Sequence, residues 1–143
     1  NFPVLFHAGE ACGFKPPYRG MPNRLIKALS ALKIPVVFAH FGGIGCAEEV
    51  IKSVCGLNVY LDTSFASHGI VTKERALEMI RKHGADKILF GSDAPWSDPK
   101  DEVDFIENLG LTEREKELIF HENAEKILKI KEKGADVWTL KKR

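Results

Sequence analysis

The sequence predicts an α/β fold in which four parallel strands alternate with helices along the chain. The first observation is a series of four short apolar runs bounded by breakers, at residues 2–7, 35–40, 58–62 and 87–91. The second is the helical pattern of apolar residues that follows each run, because strands joined by helices make right-handed crossovers and parallel sheets. The third is that a histidine, an acid or a hydroxyl stands at the end of each run.

Capping residues and breakers set the bounds of the first three helices. The first begins at Pro22, which suits the first helical position, and runs to about residue 33. The second ends at Gly56. The third begins after Thr72, a hydroxyl cap, and ends at Gly84.

The last third of the chain predicts further helices and then a tail. A short helix is expected near residues 102–108, and Thr112 with Glu115 forms a capping box for the next one. The apolar residues beyond it predict two helices that are broken around residues 121–123. We place one domain at residues 1–130 and a basic C-terminal tail at residues 131–143.

The composition of the 143-residue chain is that of a soluble globular domain, with 44% hydrophobic and 29% charged residues. A net charge of +1 gives no indication of nucleic-acid or membrane-surface binding, and no apolar run is long enough to span a bilayer. Three cysteines without a pairing pattern indicate free thiols in the cytoplasm, and Cys46, at a helix start that favours a thiolate, is a minor candidate nucleophile. Because the chain begins at Asn1 within a strand, we expect that a preceding part is missing or supplied separately.

Polar side chains follow the predicted strands at the same end. His7, His40 and Asp93 each come after an apolar run, and Asp62 and Ser64 come at the end of the third. Because α/β active sites lie at the carboxyl ends of parallel strands, these side chains predict a metal or substrate site. Two imidazoles and a carboxylate suit zinc, manganese or iron. Taken singly, each has a structural alternative, such as a packed histidine or an aspartate that caps a turn.

Loop residues on the same edge are candidate substrate contacts. Glu10 lies three residues beyond the first histidine, and Arg19, in the long loop that follows, suits a substrate carboxylate. His68 follows the third strand. Each of these residues has an ordinary alternative as a turn or solvated loop residue. His83 stands at a predicted helix C-terminus, where the helix dipole favours a charged imidazole and explains it without a function.

Four motifs and a short helical signature occur together in this chain. They are Phe6-His7-Ala8-Gly9, Ala39-His40-Phe41-Gly42-Gly43, Val59-Tyr60-Leu61-Asp62-Thr63-Ser64 and Leu89-Phe90-Gly91-Ser92-Asp93-Ala94-Pro95, followed by Asn123-Ala124. This set resembles the C-terminal half of the amidohydrolase superfamily, and most closely its amidohydrolase-related branch. The resemblance covers residues 2 to about 130 and does not specify a substrate.

The resemblance implies half of a (β/α)₈ TIM barrel, namely strands five to eight with their helices, and a divalent metal at the carboxyl rim. Zinc is the first choice, with manganese or iron as alternatives. The resemblance makes His7 a metal ligand, His40 a metal ligand or substrate polariser, and Asp93 a metal ligand that also moves protons. Ser64 is then a candidate substrate contact without a fixed role, and Trp96 lines the pocket. The implied reaction is hydrolysis or decarboxylation of a small molecule through a metal-activated water.

The chain departs from the family pattern because it has no His-x-His pair, which the family carries on its first strand. A whole barrel needs about 250 residues, so we expect this chain to leave two open strand edges and an uncovered inner face. Either a missing N-terminal half or a second copy would close the barrel, and we expect neither tight metal binding nor turnover from this chain alone. Two alternatives stay open: a non-catalytic fragment that binds only metal or ligand, and an open sheet with a phosphate site at residues 42–45.

Overall fold

A computed structural model describes residues 2–130, and the predicted tail at residues 131–143 lies outside the described residues. The strands are β1 (Val4–Phe6), β2 (Val36–Phe38), β3 (Tyr60–Asp62) and β4 (Ile88–Leu89). The helices are α1 (Pro22–Leu29), α2 (Ala47–Ser53), α3 (Lys73–His83), α4 (Pro99–Glu107), α5 (Glu113–Glu117) and α6 (Asn123–Leu128). Short 3₁₀ turns lie at Ala66–His68 and Ala85–Lys87, and a π-helical segment lies at Leu118–Glu122.

The four strands are parallel, and their order in the sheet follows their order in the chain. This confirms the predicted α/β class and the alternation of strands with helices. Phe38 pairs with Phe6 on one side and with Leu61 on the other, and Leu61 pairs with Ile88. The strands are shorter than predicted because the chain turns away early; His40, for example, has a left-handed φ of 60°.

One face of the sheet forms the main core. Phe38, Leu61 and Ile88 are fully buried there, against apolar residues that include Val50 of α2 and Ile80 of α3. The opposite face carries a smaller cluster, in which Val37 and Leu89 pack with Ile127 of α6. At the β1 end of this face Leu5 is 62% exposed, so this part of the sheet is left open.

The two outer edges of the sheet differ, which corrects the expectation of two open edges. Leu89 O accepts from Thr63 N on the β3 side, so the backbone groups of Ile88 and Phe90 point away from β3. Phe90 N donates to Ile119 O at 2.8 Å, and the side-chain amide of Asn123 donates to Ile88 O at 2.7 Å. The β4 edge is therefore occupied by the C-terminal helices, whereas β1 forms the exposed edge.

Two helical caps agree with the prediction from the sequence, whereas one predicted helix break does not. The Thr72 hydroxyl caps α3, and Thr112 and Glu115 form the predicted capping box of α5. The predicted break around residues 121–123 is wrong, because α5, the π-helical segment and α6 follow one another without a break. No helix within residues 2–130 is long and apolar enough to cross a membrane.

His83 is a core residue rather than a charged helix cap, so its dipole explanation is wrong. It is 5% exposed, its Nε2 donates to Val59 O at 2.8 Å, and its Nδ1 accepts from Gly56 N at 3.1 Å. Burial lowers the pKa of His83, because the charged imidazole loses its hydration. A neutral His83 satisfies both backbone groups and joins α3 to the loop before β3.

Candidate active site

The histidines that follow β1 and β2 lie in contact at the carboxyl edge of the sheet. His7 Nδ1 lies 3.1 Å from His40 Nε2, and the two ring centroids are 4.8 Å apart. His7 is exposed, whereas His40 is buried with 5% exposure. Because β1 and β2 are neighbours in the sheet, the fold brings together two residues that are 33 positions apart.

A buried chain of hydrogen bonds fixes the orientation of His40. Asp62 Oδ1 accepts from the Ser64 hydroxyl at 2.6 Å and from the His40 amide at 2.9 Å. His40 Nδ1 lies 3.0 Å from Ser64 Oγ. Because the Ser64 hydroxyl gives its hydrogen to Asp62, its oxygen can only accept, so His40 carries its hydrogen on Nδ1. Neutral His40 therefore presents a lone pair at Nε2 toward His7.

His7 is fixed in the complementary way. Its Nε2 lies 2.9 Å from the carbonyl oxygen of Glu10, which can only accept, so Nε2 carries the hydrogen. Neutral His7 then presents a lone pair at Nδ1, and this lone pair faces that of His40 across 3.1 Å. Two acceptors form no hydrogen bond, so the pair is completed by a proton or a metal cation. Nitrogens bound to zinc at about 2.0–2.1 Å reach this separation on adjacent coordination positions, so the donor set fits a metal.

Asp93 does not join the histidine pair within a single ligand cluster. It follows β4, and β3 lies between β4 and β2, so its strand is about 10 Å from β2 at the usual spacing of parallel strands. In residues 2–130 no group of three or more histidine, cysteine, aspartate or glutamate side chains is placed to hold a metal. His7 and His40 supply two of the three protein ligands usual for catalytic zinc, and Asp93 as a third ligand stays a prediction.

Comparison with known protein families identifies the chain. The model of the amidohydrolase family matches residues 1–130. The chain belongs to the amidohydrolase family. This confirms the resemblance in the four motifs and accounts for polar side chains at the carboxyl ends of parallel strands.

Solved structures of similar fold are enzymes of about twice this length. A 2,6-dihydroxybenzoate decarboxylase from Rhizobium matches with a TM-score of 0.66 and 15% identity, over 89% of this chain and 51% of that chain. A putative 2-pyrone-4,6-dicarboxylic acid hydrolase from Pseudomonas putida matches with a TM-score of 0.60 and 17% identity, over 73% and 46% of the two chains. The sheet is therefore similar to part of the amidohydrolase barrel. No curated protein matches the sequence.

A third structure includes a metal and an inhibitor. It is a dihydroxybenzoic acid decarboxylase from Polaromonas sp. JS666 with bound manganese and 2-nitroresorcinol. It matches with a TM-score of 0.56 and 22% identity, over 73% of this chain and 36% of that chain. The chain thus spans about half the length, or less, of the solved structures that it matches.

Strained backbone concentrates at the carboxyl rim of this amidohydrolase chain. His40, Phe41, Phe65 and Asp93 have left-handed φ values of 60°, 50°, 64° and 66°, although none of them is glycine. Bulky residues rarely adopt this conformation, and it persists only where surrounding contacts determine it. All four lie in the loops that follow β2, β3 and β4, so the strain marks the edge that carries the histidine pair.

The other predicted site residues lie on the same edge but have different contacts. Glu10 acts through its carbonyl oxygen, which holds His7, while its side chain is exposed. Ser64 belongs to the buried chain behind His40 rather than to the surface. Arg19 is exposed and Trp96 is 75% exposed, so each is accessible to a ligand. Substrate binding by these residues stays a prediction.

Two carboxylates that matter for the rim were not assigned a role from the sequence. Asp62 holds both the amide and the ring orientation of His40, and the only sequence signal is an acid two residues before a serine at a strand end. Glu102 is fully buried and accepts hydrogen bonds from Ser67 and Ser97. Its position in a charged helical stretch gives no sign of burial, because only the tertiary fold brings the two loops to it.

The alternatives at the glycine-rich turn find no support. Burial, and then the nearby carboxylates of Glu49 and Glu10, raise the pKa of the Cys46 thiol to about 11, so the expectation of a favoured thiolate is wrong. The amides of residues 42, 43, 44 and 46 all donate to backbone carbonyls. These donors are therefore not free for a phosphate.

A Cβ on Gly9 would overlap the backbone of Ile44, which shows how closely the first and second rim loops approach.

Proposed function

We propose that this chain is the C-terminal part of a metal-dependent amidohydrolase-type enzyme that hydrolyses or decarboxylates a small molecule. The observation that carries the proposal is the His7–His40 pair, whose facing lone pairs at 3.1 Å need a cation. Its position supports a catalytic reading, because amidohydrolase relatives of similar fold include decarboxylases and a putative hydrolase.

The residues have distinct proposed roles. His40, with its proton held on Nδ1 by Ser64, uses Nε2 to bind the metal or to polarise the substrate. Asp93 moves the proton: it accepts one from the attacking water in hydrolysis, or delivers one to the ring carbon that loses CO₂ in decarboxylation. Arg19 and Trp96 are proposed substrate contacts, with Arg19 holding a substrate carboxylate.

The proposed cofactor is a divalent metal held by His7 and His40, with Asp93 as a further ligand. Zinc is our first choice, and manganese or iron are alternatives, because imidazole and carboxylate suit all three. When bound, such a metal would lower the pKa of coordinated water to about 7 and would supply Lewis acidity. Solved structures of similar fold contain manganese or zinc.

We further propose that the four strands are strands five to eight of a (β/α)₈ barrel. The β1 end of the face that carries Val37 and Leu89 supports this, because Leu5 is 62% exposed there and exposed apolar surface marks a place for further packing. The N-terminal half or a second copy would extend the sheet from β1, and closure at β4 would require the C-terminal helices to leave that edge. The N-terminal half would also supply the remaining metal ligands. The unpaired thiols fit a cytoplasmic enzyme, and catalysis is expected only from the completed barrel.

The proposal is tested in the completed barrel with metal removal and with Asp93→Asn. We expect a chelator to abolish turnover and added Mn²⁺ or Zn²⁺ to restore it, and the variant to lose about 10²–10⁴-fold in kcat. Dihydroxybenzoates assayed for CO₂ release and a pyrone dicarboxylate assayed for ring opening separate the two reaction types. Full activity of Asp93→Asn would remove the mechanism. Metal binding without turnover on any substrate would favour the alternative of a fragment that only binds metal or ligand.

A further inference from the structure

A second chain of carboxylate, serine and histidine lies on the loop after β3, apart from the histidine pair. Glu102, in the first turn of α4, is fully buried. It accepts hydroxyl hydrogen bonds of 2.6 Å from both Ser67 and Ser97, and the Ser67 amide donates to it at 3.1 Å. One buried carboxylate thus joins the loop after β3 to the loop after β4.

The hydrogen bonds continue from Ser67 to His68. His68 Nδ1 lies 3.1 Å from Ser67 Oγ and 3.8 Å from Glu102 Oε1. The hydroxyls of Ser67 and Ser97 have one hydrogen each, and both hydrogens are given to Glu102, so Ser67 Oγ can only accept from His68. Neutral His68 therefore carries its hydrogen on Nδ1. This leaves the lone pair on Nε2, in the same arrangement that Asp62 and Ser64 impose on His40.

The loop that carries His68 is held in a strained conformation. Phe65 has a left-handed φ of 64°, and its ring stacks on the His68 ring with centroids 4.2 Å apart and planes 5° apart. Strain of this kind persists where contacts determine the backbone, and here Ser67 supplies them through both its amide and its hydroxyl. The His68 side chain is 42% exposed at the rim, so its Nε2 is oriented but accessible.

Building on the proposed function, we propose that Glu102 and Ser67 are positioning residues that fix His68 as a hydrogen-bond acceptor at the rim. The group that it binds is a hydroxyl or N–H of the small-molecule substrate. The carboxylate defines the Ser67 hydroxyl, the hydroxyl defines the histidine tautomer, and the stacked Phe65 defines the ring plane. A substrate donor then meets a lone pair of fixed direction instead of an imidazole that exchanges its two tautomers.

The tautomer is measured by two-bond ¹H–¹⁵N correlation spectra of the ¹⁵N-labelled chain at a pH where the imidazole is neutral. This measurement needs neither metal nor substrate, so its outcome is independent of whether the chain binds metal. We expect His68 to carry its hydrogen on Nδ1 in the parent chain and in Ser97→Ala, which keeps the Ser67 link. Ser67→Ala and Glu102→Gln should give a mixture of tautomers. A parent His68 with its hydrogen on Nε2, or an unchanged tautomer in Ser67→Ala, would overturn the proposal; Ser67→Ala decides if Glu102→Gln does not fold.

Access to the lone pair is measured with diethyl pyrocarbonate as the probe. The unprotonated nitrogen attacks its carbonyl carbon, a new N–C bond forms, and ethyl carbonate leaves, so peptide mass spectrometry locates the acylated histidine. We expect acylation of His68, whereas His83, which is 5% exposed, serves as the internal control that stays unmodified. If His68 resists the reagent as His83 does, no ligand reaches Nε2 and the proposal fails.

Discussion

Ser64 and Ser67 occupy equivalent places in two hydrogen-bonded chains of one loop. Each gives its hydroxyl hydrogen to a buried carboxylate at 2.6 Å, and each accepts from the Nδ1 of a histidine. A carboxylate placed this way sets the tautomer of a ring that it does not touch at hydrogen-bonding distance. Because each serine hydroxyl donates to a carboxylate, it can only accept from the neighbouring histidine, and this determines the tautomers of both histidines at the rim.

Substitution of Ser64 tests this role in metal binding. We expect Ser64→Ala to weaken Mn²⁺ binding about 10–100-fold, because partners that orient metal-binding histidines have effects of this size. Ser30→Ala is the matched control, since Ser30 is exposed on the surface after α1. Isothermal titration of each variant with Mn²⁺ measures the difference. Equal affinities of the two variants would mean that Ser64 does not orient His40.

His83 predicts how stability depends on pH. Because burial lowers its pKa in the folded chain below the usual 6.5, the unfolded chain binds the proton more readily at mildly acidic pH. The contribution of neutral His83 to stability is therefore complete above 6.5 and is lost as the pH falls below it. We expect the free energy of unfolding in urea to fall from pH 7.5 to pH 5.5.

The His83→Gln variant isolates this effect. It should be about 1–3 kcal/mol less stable at pH 7.5, because a buried hydrogen bond to Gly56 or Val59 is lost. Its stability should change less between the two pH values, while the exposed-histidine control His121→Gln should follow the parent chain. A pH dependence of equal slope in His83→Gln and the parent would assign the effect to other groups.

At the scale of elements, the sequence predicted the alternation of strands and helices but not how the elements end. Apolar spacing and caps such as Thr72 are local signals, so the strands, the helices and the capping box could be predicted. The π-helical segment could not, because no local signal in the sequence marks it; within it, Ile119 O accepts from Phe90 N across the fold. The burial of Glu102 could not be predicted either, because only the tertiary fold brings the loops with Ser67 and Ser97 to it. The proximity of His7 and His40 could be predicted from the strand ends, whereas the Asp62 hydrogen bonds depend on side-chain directions.

Asn123 connects the C-terminal helices to β4 and offers a direct test of that edge. Its amide donates to Ala85 O and Ile88 O, both at 2.7 Å, and it is 2% exposed. We expect Asn123→Ala to lower the free energy of unfolding by about 1–3 kcal/mol, because buried carbonyls lose their partners. Asn108→Ala is the control: its amide also donates at 2.7 Å, but at an exposed helix end. Urea denaturation that finds the two variants equally stable would contradict the assignment of the β4 edge.

Within residues 2–130 the two edges of the sheet differ, since no strand pairs with the outer side of β1. The C-terminal helices occupy the β4 edge, while β1 leaves Leu5 62% and Phe2 84% exposed. Apolar surface and backbone groups at a sheet edge favour pairing with further strands.

Association of the isolated chain follows from this asymmetry. We expect its mass in sedimentation to rise with concentration, and Leu5→Lys to shift it toward the monomer, since a lysine at an edge opposes strand pairing. Leu128→Lys is the control, because Leu128 is 46% exposed but lies at the end of α6 and not in a strand. A parent chain that stays monomeric at all concentrations, or a Leu128→Lys variant with the larger effect, would contradict this view of the β1 edge.

The metal site of His7 and His40 is tested by Mn²⁺ binding to the chain itself, followed by electron paramagnetic resonance of the free ion. The facing lone pairs of His7 and His40 predict weak but saturable binding at one site, because this chain supplies two ligands. We expect His40→Ala to abolish this binding and His121→Ala to leave it unchanged. Parent chain that leaves all Mn²⁺ free, or equal binding by His40→Ala and His121→Ala, would show that the two imidazoles do not form a metal site.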